Sequence, residues 1–310
     1  MKSFLNTNKI TDLIPISDRG HMFILEQCRI EKEGHVVVYK QTEGGYVKIF
    51  NIPDINTNLL ILGNGTSITN EALFFLASNN VTVMFSKGHG HPVFADIDLI
   101  SITATSEYRP VEYNQNYAKI FFNETKRLET ARLFMKKRVE NTKKYYGILV
   151  DEKIIPFIPE YNSISEFFLK RINTAKNVQE ILMFEAEYVK EIYKMFTVNY
   201  NTDFTRNHND TKGINGILTQ LNYLCYSIAN VVLYTLGINH TFSVLHGKTR
   251  RGALVFDVAD LIKDGLSVPF AFYFYHKGIK NDTAFKYEFI DFVYENNVMH
   301  DLFAFVKNVN

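Results

Sequence analysis

The stretch 59-LLILGNGTSITNEALFFLASNNVTVMF-85 decides how the first part of the chain folds. Residues 59–62 form an apolar run of strand length, closed by Gly63-Asn64-Gly65, and residues 81–85 resume β character after Asn79-Asn80. Between them Ala72, Leu73, Leu76 and Ala77 fall on one helical face, with Ser67 or Thr69 available as N-cap, so 69–78 is expected to be a helix. Upstream, residues 21–27, 35–40 and 46–52 are short β-rich runs separated by turn residues. Downstream, Lys87-Gly-His-Gly-His-Pro92 reads as a turn between strands, because glycines flank His89 and a proline follows His91. Gly63-Asn64-Gly65 lacks the frame of a phosphate-binding loop, and no GxSxG nucleophile elbow occurs.

Beyond this region the periodicity changes. Residues 101–111 are polar, weakly periodic and contain Pro110, which marks a linker. From Tyr117 the apolar positions Phe121, Leu128, Ala131, Met135 and Val139 recur at helical intervals, and further helical patterns cover about 178–196, 214–236, 255–262 and 299–306. The reading is an α+β protein: a β-rich domain over 1–100, a linker over 101–111 and a mainly α-helical domain over 112–310.

Composition narrows the class of function. Of 310 residues 46% are hydrophobic and 22% charged, which is ordinary globular usage and excludes a disordered or fibrous chain. With 34 basic and 33 acidic side chains the formal charge is +1, so affinity for a polyanion would have to come from local patches. The two cysteines, Cys28 and Cys225, lie far apart, which supports neither a disulfide framework nor a zinc ribbon and points to a reducing interior. No stretch reads as the roughly 18 continuous apolar residues of a membrane span, and the expected location is the cytoplasm.

Three features carry chemistry. On the helix beginning near Val178, the apolar stripe of Val178, Leu182, Val189, Ile192 or Tyr193, and Phe196 is interrupted by Glu185. A carboxylate there needs a basic partner, a metal or an opening to solvent, since burying it unpaired costs several kcal/mol. In 245-LHGKTRRGALVFDVAD-260, Asp257 and Asp260 are three apart on a helix and share a face, and His246 lies on the glycine-containing loop that leads into it. One imidazole with carboxylate oxygens suits Mg²⁺ or Mn²⁺ better than structural zinc. Each residue alone has an ordinary alternative: a helix cap, a solvated charge, a hydrogen-bonded loop histidine. Lys248, Arg250 and Arg251 between the histidine and the aspartates form the cationic rim expected of a site that takes a phosphodiester. Finally, Lys119, Lys126, Arg127, Arg132, Lys136, Lys137, Arg138, Lys143 and Lys144 face only Glu124, Glu129 and Glu140, either a nucleic-acid footprint or a charged helix exterior.

The segment 245-LHGKTRRGALVFDVADLIKDG-265, with Asn222, Tyr223 and Tyr226 before it, resembles the C-terminal core of the CRISPR-associated adaptation integrases, and most of all their subtype I-F branch. The run 181–196 is similar to that family's glutamate helix, with Glu185 in the glutamate position, Lys190 where a basic residue is usual and Tyr193 in the tyrosine position; Asn215 matches its asparagine, and 59–85 resembles its β-domain. The resemblance implies one divalent ion held by Glu185, His246 and Asp260, with Asp257 in support, and DNA contacts from Lys190, Lys248, Arg250 and Arg251. It also implies double-stranded DNA as substrate, a homodimer, and a second adaptation protein fused to a helicase-nuclease. The activity implied is insertion of captured DNA fragments into a repeat array by attack of a 3′ hydroxyl on a phosphodiester. A branched-DNA repair nuclease and a non-enzymatic DNA-binding scaffold are the alternatives.

Overall fold

The computed structural model describes residues 19, 21–43, 45–87, 91–92, 110–247, 252–279 and 282–309. Among the described residues eight strands form two four-stranded sheets: β1 (His21–Leu25), β2 (Cys28–Glu33), β3 (Val36–Glu43), β4 (Tyr46–Ile52), β5 (Thr57–Leu62), β6 (Ser67–Ile68), β7 (Thr82–Lys87) and β8 (His91–Pro92). One sheet has the order β1-β5-β7-β8, with β1, β5 and β7 mutually parallel; the other has the order β4-β3-β2-β6. Helix α1 (Asn70–Ser78) is the crossover that parallel neighbours β5 and β7 require. Its N-cap is Thr69, whose hydroxyl accepts from the Ala72 N–H at 3.3 Å, while Ser67 lies in β6. Antiparallel pairing of Lys87 with His91 agrees with the turn read at 87–92; the residues joining them, His89 included, lie outside the described set.

All six residues of β5 are buried, which explains the unbroken apolar run in the sequence. Leu60 and Leu62 join Leu25, Val81 and Val83 in a core shared with α1 and the second sheet. Leu59 and Ile61, with Met22, Ile24 and Met84, face the opposite way and belong to the core of the helical region. Period-two alternation thus makes one sheet the floor of both halves. The linker residues 101–109 lie outside the described set, and Pro110 precedes the first helix of the second half.

Nine further helices follow among the described residues: α2 (Val111–Phe121), α3 (Glu124–Asp151), α4 (Glu160–Thr174), α5 (Val178–Asn199), α6 (Gly213–Thr235), α7 (Ala253–Lys263), α8 (Ser267–His276), α9 (Asp282–Glu295) and α10 (Val298–Lys307). The helix expected from Tyr117 onward is two, α2 and α3. They break at Phe122-Asn123 because the Asn123 side chain caps α3, accepting from the Lys126 N–H at 3.0 Å. Helix α6 is long and apolar enough, by length and composition, to cross a membrane, although its sequence is not a continuous apolar run. Here 72% of its apolar window is buried, as expected of a central helix packed on all sides.

Two glycines set helix approaches that reach the site. A Cβ on Gly216 would lie 2.2 Å from the carbonyl oxygen of Thr211, where the loop before α6 folds back over its first turn. Gly216→Ala is therefore expected to destabilise the protein by about 1–3 kcal/mol, the usual cost of overpacking; thermal unfolding measures it. A Cβ on Gly265 would lie 3.0 Å from Cα of Thr142, so its absence lets the end of α7 close onto α3.

Candidate active site

Helix α5 begins at an Asn177 cap and buries Val178, Ile181, Tyr188, Ile192, Met195 and Phe196. Leu182 and Val189, read as part of the stripe in the sequence, are half-buried beside it, and Glu185, itself half-buried, falls within the stripe, four residues after Ile181 and three before Tyr188. Its basic partner is Arg138 on α3, whose Nη1 donates to Oε1 of Glu185 at 2.8 Å. Arg138 is only 2% exposed and grips Asp264, just after α7, with two hydrogen bonds of 2.5 and 3.0 Å. Nη1 also stands 4.0 Å from Oδ2 of Asp260. One guanidinium thus gathers carboxylates from α5, α7 and the turn after α7. A planar fork of five donors fixed by one bidentate partner can do this; an ammonium could not hold the same geometry.

Asp260 is 4% exposed. Lys263, one turn further along α7, forms an ion pair with its Oδ1. Burial by itself would raise the Asp260 pKa, but the charges of Lys263, Arg138 and His246 hold it below its ordinary value. Conversely the Lys263 pKa is raised: burial opposes its charge, and Asp260 outweighs burial. Lys263 also lies 3.5 Å from the Tyr226 hydroxyl, which places Tyr226 at the rim of this group.

The loop that carries His246 is clamped from two sides. Asp257, 0% exposed, accepts the backbone N–H groups of Val244, Leu245 and His246 at 2.6, 3.0 and 3.2 Å. Arg127 of α3 donates to the carbonyls of the same three residues at 2.8, 3.3 and 3.3 Å. The same Asp257 carboxylate binds Nδ1 of His246 at 2.6 Å, orienting the ring and leaving Nε2 as its other nitrogen. Burial would lower the pKa of the imidazole, but the Asp257 carboxylate more than offsets this and raises it.

Glu185 and Asp260 therefore meet at Arg138, and His246 is fixed by Asp257 close enough for its charge to act on Asp260. The donor chemistry, carboxylate oxygens with one imidazole nitrogen, fits a hard divalent cation. As the side chains stand, no group of three His, Cys, Asp or Glu among the described residues is spaced to enclose an ion, and Arg138 and Lys263 occupy the carboxylates instead. Lys190 is exposed on α5, in a groove of about 400 Å³ that also takes in Arg171 and Phe184. Five residues from Glu185, it points about 140° away around the helix. Lys248, Arg250 and Arg251 lie outside the described residues.

The basic stretch of α2 and α3 divides by burial. Arg127, Arg132 and Arg138 are internal scaffolding: Arg132 donates to the carbonyls of Ile172 and Ala175 at 3.3 and 2.6 Å. Lys144 pairs with Asp301, while Lys119, Lys126, Lys136 and Lys143 are exposed. Arg138 and Asp264 were missed as site residues. The signal was present, since Arg138 interrupts the buried face formed by Ala131, Phe134, Met135, Val139 and Thr142, as Glu185 interrupts its own. Asn215 anchors the loop before α6. Its Oδ1 accepts from Arg206 and from the Asn207 N–H, both at 3.0 Å, and its Nδ2 donates to the Thr205 carbonyl at 3.1 Å.

The profile of the family described as CRISPR associated protein Cas1 matches residues 22–298. Over 273 residues the chain is 38% identical to the CRISPR-associated endonuclease Cas1 of Pseudomonas aeruginosa, covering 83% of this chain and 82% of that protein. Over 267 residues it is 37% identical to the protein of the same name from Pectobacterium atrosepticum, with the same coverage of 83% and 82%. The fold is similar to that of TtCas1 in a TtCas1–DNA complex, with TM-score 0.66, 16% identity and coverage of 93% and 91% of the two chains. It is also similar to a casposase bound to its integration product, with TM-score 0.66, 15% identity and coverage of 89% and 82%. A chain of a Cas6-RT-Cas1–Cas2 complex matches with TM-score 0.60 and 12% identity, over 86% of this chain and 29% of that one. With a family profile spanning most of its length and two relatives above one-third identity, the chain belongs to the CRISPR-associated Cas1 family.

Proposed function

We propose that this protein is a divalent-metal-dependent DNA endonuclease and integrase of CRISPR adaptation, inserting captured fragments into the repeat array by transesterification. The carrying observation is that Glu185 of α5 and Asp260 of α7 share Arg138 in a Cas1-family chain, while Asp257, one turn before Asp260, fixes His246. The names of its relatives and the casposase product complex support cutting and joining of DNA. Charge supports a divalent ion. Glu185, Asp257, Asp260 and Asp264 are opposed by Arg138, Lys263 and the imidazole of His246 when protonated, so negative charge still remains to be balanced.

In this reading Glu185, His246 and Asp260 would hold Mg²⁺ or Mn²⁺. The ion supplies Lewis-acid stabilisation of charge developing on the reacting phosphoryl oxygens. Asp257 sets the ring orientation of His246, and Lys263 keeps Asp260 ionised. The incoming 3′ hydroxyl loses its proton and forms one phosphorus–oxygen bond as another breaks, and the departing 3′ oxygen takes up a proton, so no energy source is consumed. Water in place of the hydroxyl gives hydrolysis. Lys190, Lys248, Arg250 and Arg251 hold the flanking DNA backbone. The activity belongs in the cytoplasm with the repeat array.

The partners follow the same reading: a homodimer acting with a second adaptation protein fused to a helicase-nuclease. Cas1–Cas2 complexes among the structural relatives support the second protein. Self-association is supported by edge strand β4, which exposes Tyr46, Val47, Ile49 and Phe50. Ile49→Lys is expected to shift the protein toward monomer in sedimentation velocity without lowering its thermal stability.

The purified chain, mixed with fragments bearing 3′ hydroxyls and a plasmid carrying a repeat array, tests the function. Joined products that require Mg²⁺ or Mn²⁺ support it. Cutting of branched DNA without joining would make it a repair nuclease, and DNA binding with no turnover a scaffold.

A further inference from the structure

We propose that Arg138 is a positioning residue: held by Asp264, its guanidinium is the internal counter-cation that keeps the Glu185 and Asp260 carboxylates together before an ion arrives. The inference deepens the ion-dependent reading above and rests on it. Two carboxylates drawn to one point repel each other, and their approach is stable only with positive charge between them. Nη1 of Arg138 supplies that charge, 2.8 Å from one carboxylate and 4.0 Å from the other. Its aim is set elsewhere, because Nε and Nη2 are committed to Asp264 at 2.5 and 3.0 Å. The Tyr188 ring, 6.0 Å away, walls the guanidinium on another side. Gly265 follows Asp264 immediately and lets the turn close onto α3, so the backbone is shaped for this pair.

The division of labour within one side chain is the point. The edge bound to Asp264 is a fixed mount, whereas the Nη1 contact to Glu185 is a single hydrogen bond to a partly exposed carboxylate. An arriving divalent ion competes only for the second contact. Arg138 can therefore yield Glu185 to the ion without leaving its seat, and the carboxylates need not be assembled from a dispersed state. Preorganisation of this kind raises ion affinity by lowering the ordering cost of binding.

The test uses the full chain as wild type, Arg138→Lys, Arg138→Gln, Asp264→Asn, Glu185→Gln and the Arg138→Gln/Glu185→Gln double variant. Titration with Mn²⁺ alone, read by electron paramagnetic resonance of the free ion, is expected to show affinity weakened about 10–100-fold in Arg138→Gln and Asp264→Asn. Arg138→Lys should recover part of it. Thermal unfolding in EDTA is the second readout. Glu185→Gln should lower the midpoint in the wild-type background and have little further effect in Arg138→Gln, the signature of a coupled pair.

Folded Arg138→Gln with wild-type Mn²⁺ affinity would overturn the proposal, as would a Glu185→Gln penalty of equal size in both backgrounds. If Arg138→Gln does not fold, Asp264→Asn, which keeps the guanidinium and removes the charge of its mount, decides in its place. A wild type that binds no Mn²⁺ would refute the ion-dependent reading itself, and the thermal cycle would still decide the pairing.

Discussion

Glu185→Gln is expected to abolish metal-dependent cutting and joining of DNA while leaving a folded protein. The substitution keeps shape and removes charge, and Glu185 is half-buried with one hydrogen bond from Arg138, so the protein stays folded with a lowered unfolding midpoint. Catalysis loses more. Lewis-acid stabilisation is worth several kcal/mol, and at 1.36 kcal/mol per tenfold a loss of about 4 kcal/mol lowers the rate about 10³-fold. His246→Ala and Asp260→Asn are expected to fall in the same range. Strand-transfer products resolved on a denaturing gel across a Mn²⁺ series measure it. Activity of any of these variants within a factor of ten of wild type would refute the assignment.

Asp257→Ala is expected to strike stability as hard as Glu185→Gln strikes chemistry. Its carboxylate accepts three backbone N–H groups and the His246 ring. Alanine leaves buried donors unpaired, at about 1–3 kcal/mol each. Counting partial relaxation of the loop, we expect a loss of about 4 kcal/mol, a fall in melting temperature of about 10 °C for a chain of this size. Asn in its place retains an acceptor and should recover part of the loss. Activity should fall in both, because the ring that Asp257 orients is freed. A melting temperature within 2–3 °C of wild type, in a chain where 1 kcal/mol shifts it by about that much, would mean the loop is held mainly by Arg127.

Legibility in the sequence tracked the local character of the signal. The β5–α1–β7 unit, the capped helix α5 and the aspartate helix α7 showed because strand runs, caps and helical stripes are written in neighbouring residues. The α2–α3 break was less visible, since Asn123 as a cap interrupts a periodicity that continues through it. Helix α8, with the sequence SVPFAFYFYH, is apolar nearly all round and mostly buried, so it shows no stripe to read. Among the site residues, Glu185 announced itself by breaking an apolar pattern. Arg138 did the same but was masked by eight other cations in its stretch, which the sequence offered as one surface.

What the sequence determined by itself was the class of the fold and the residue types available for the chemistry, because both follow from short-range patterns of polarity and charge. Only the tertiary structure decided which charges meet. Arg138 reaches Asp264 across 126 positions and Glu185 across 47, and Arg127 reaches the His246 loop across more than a hundred. Such pairings depend on how α3, α5 and α7 pack. A buried charge chooses its partner through the cost of leaving water, and that cost exists only once the helices have closed around it.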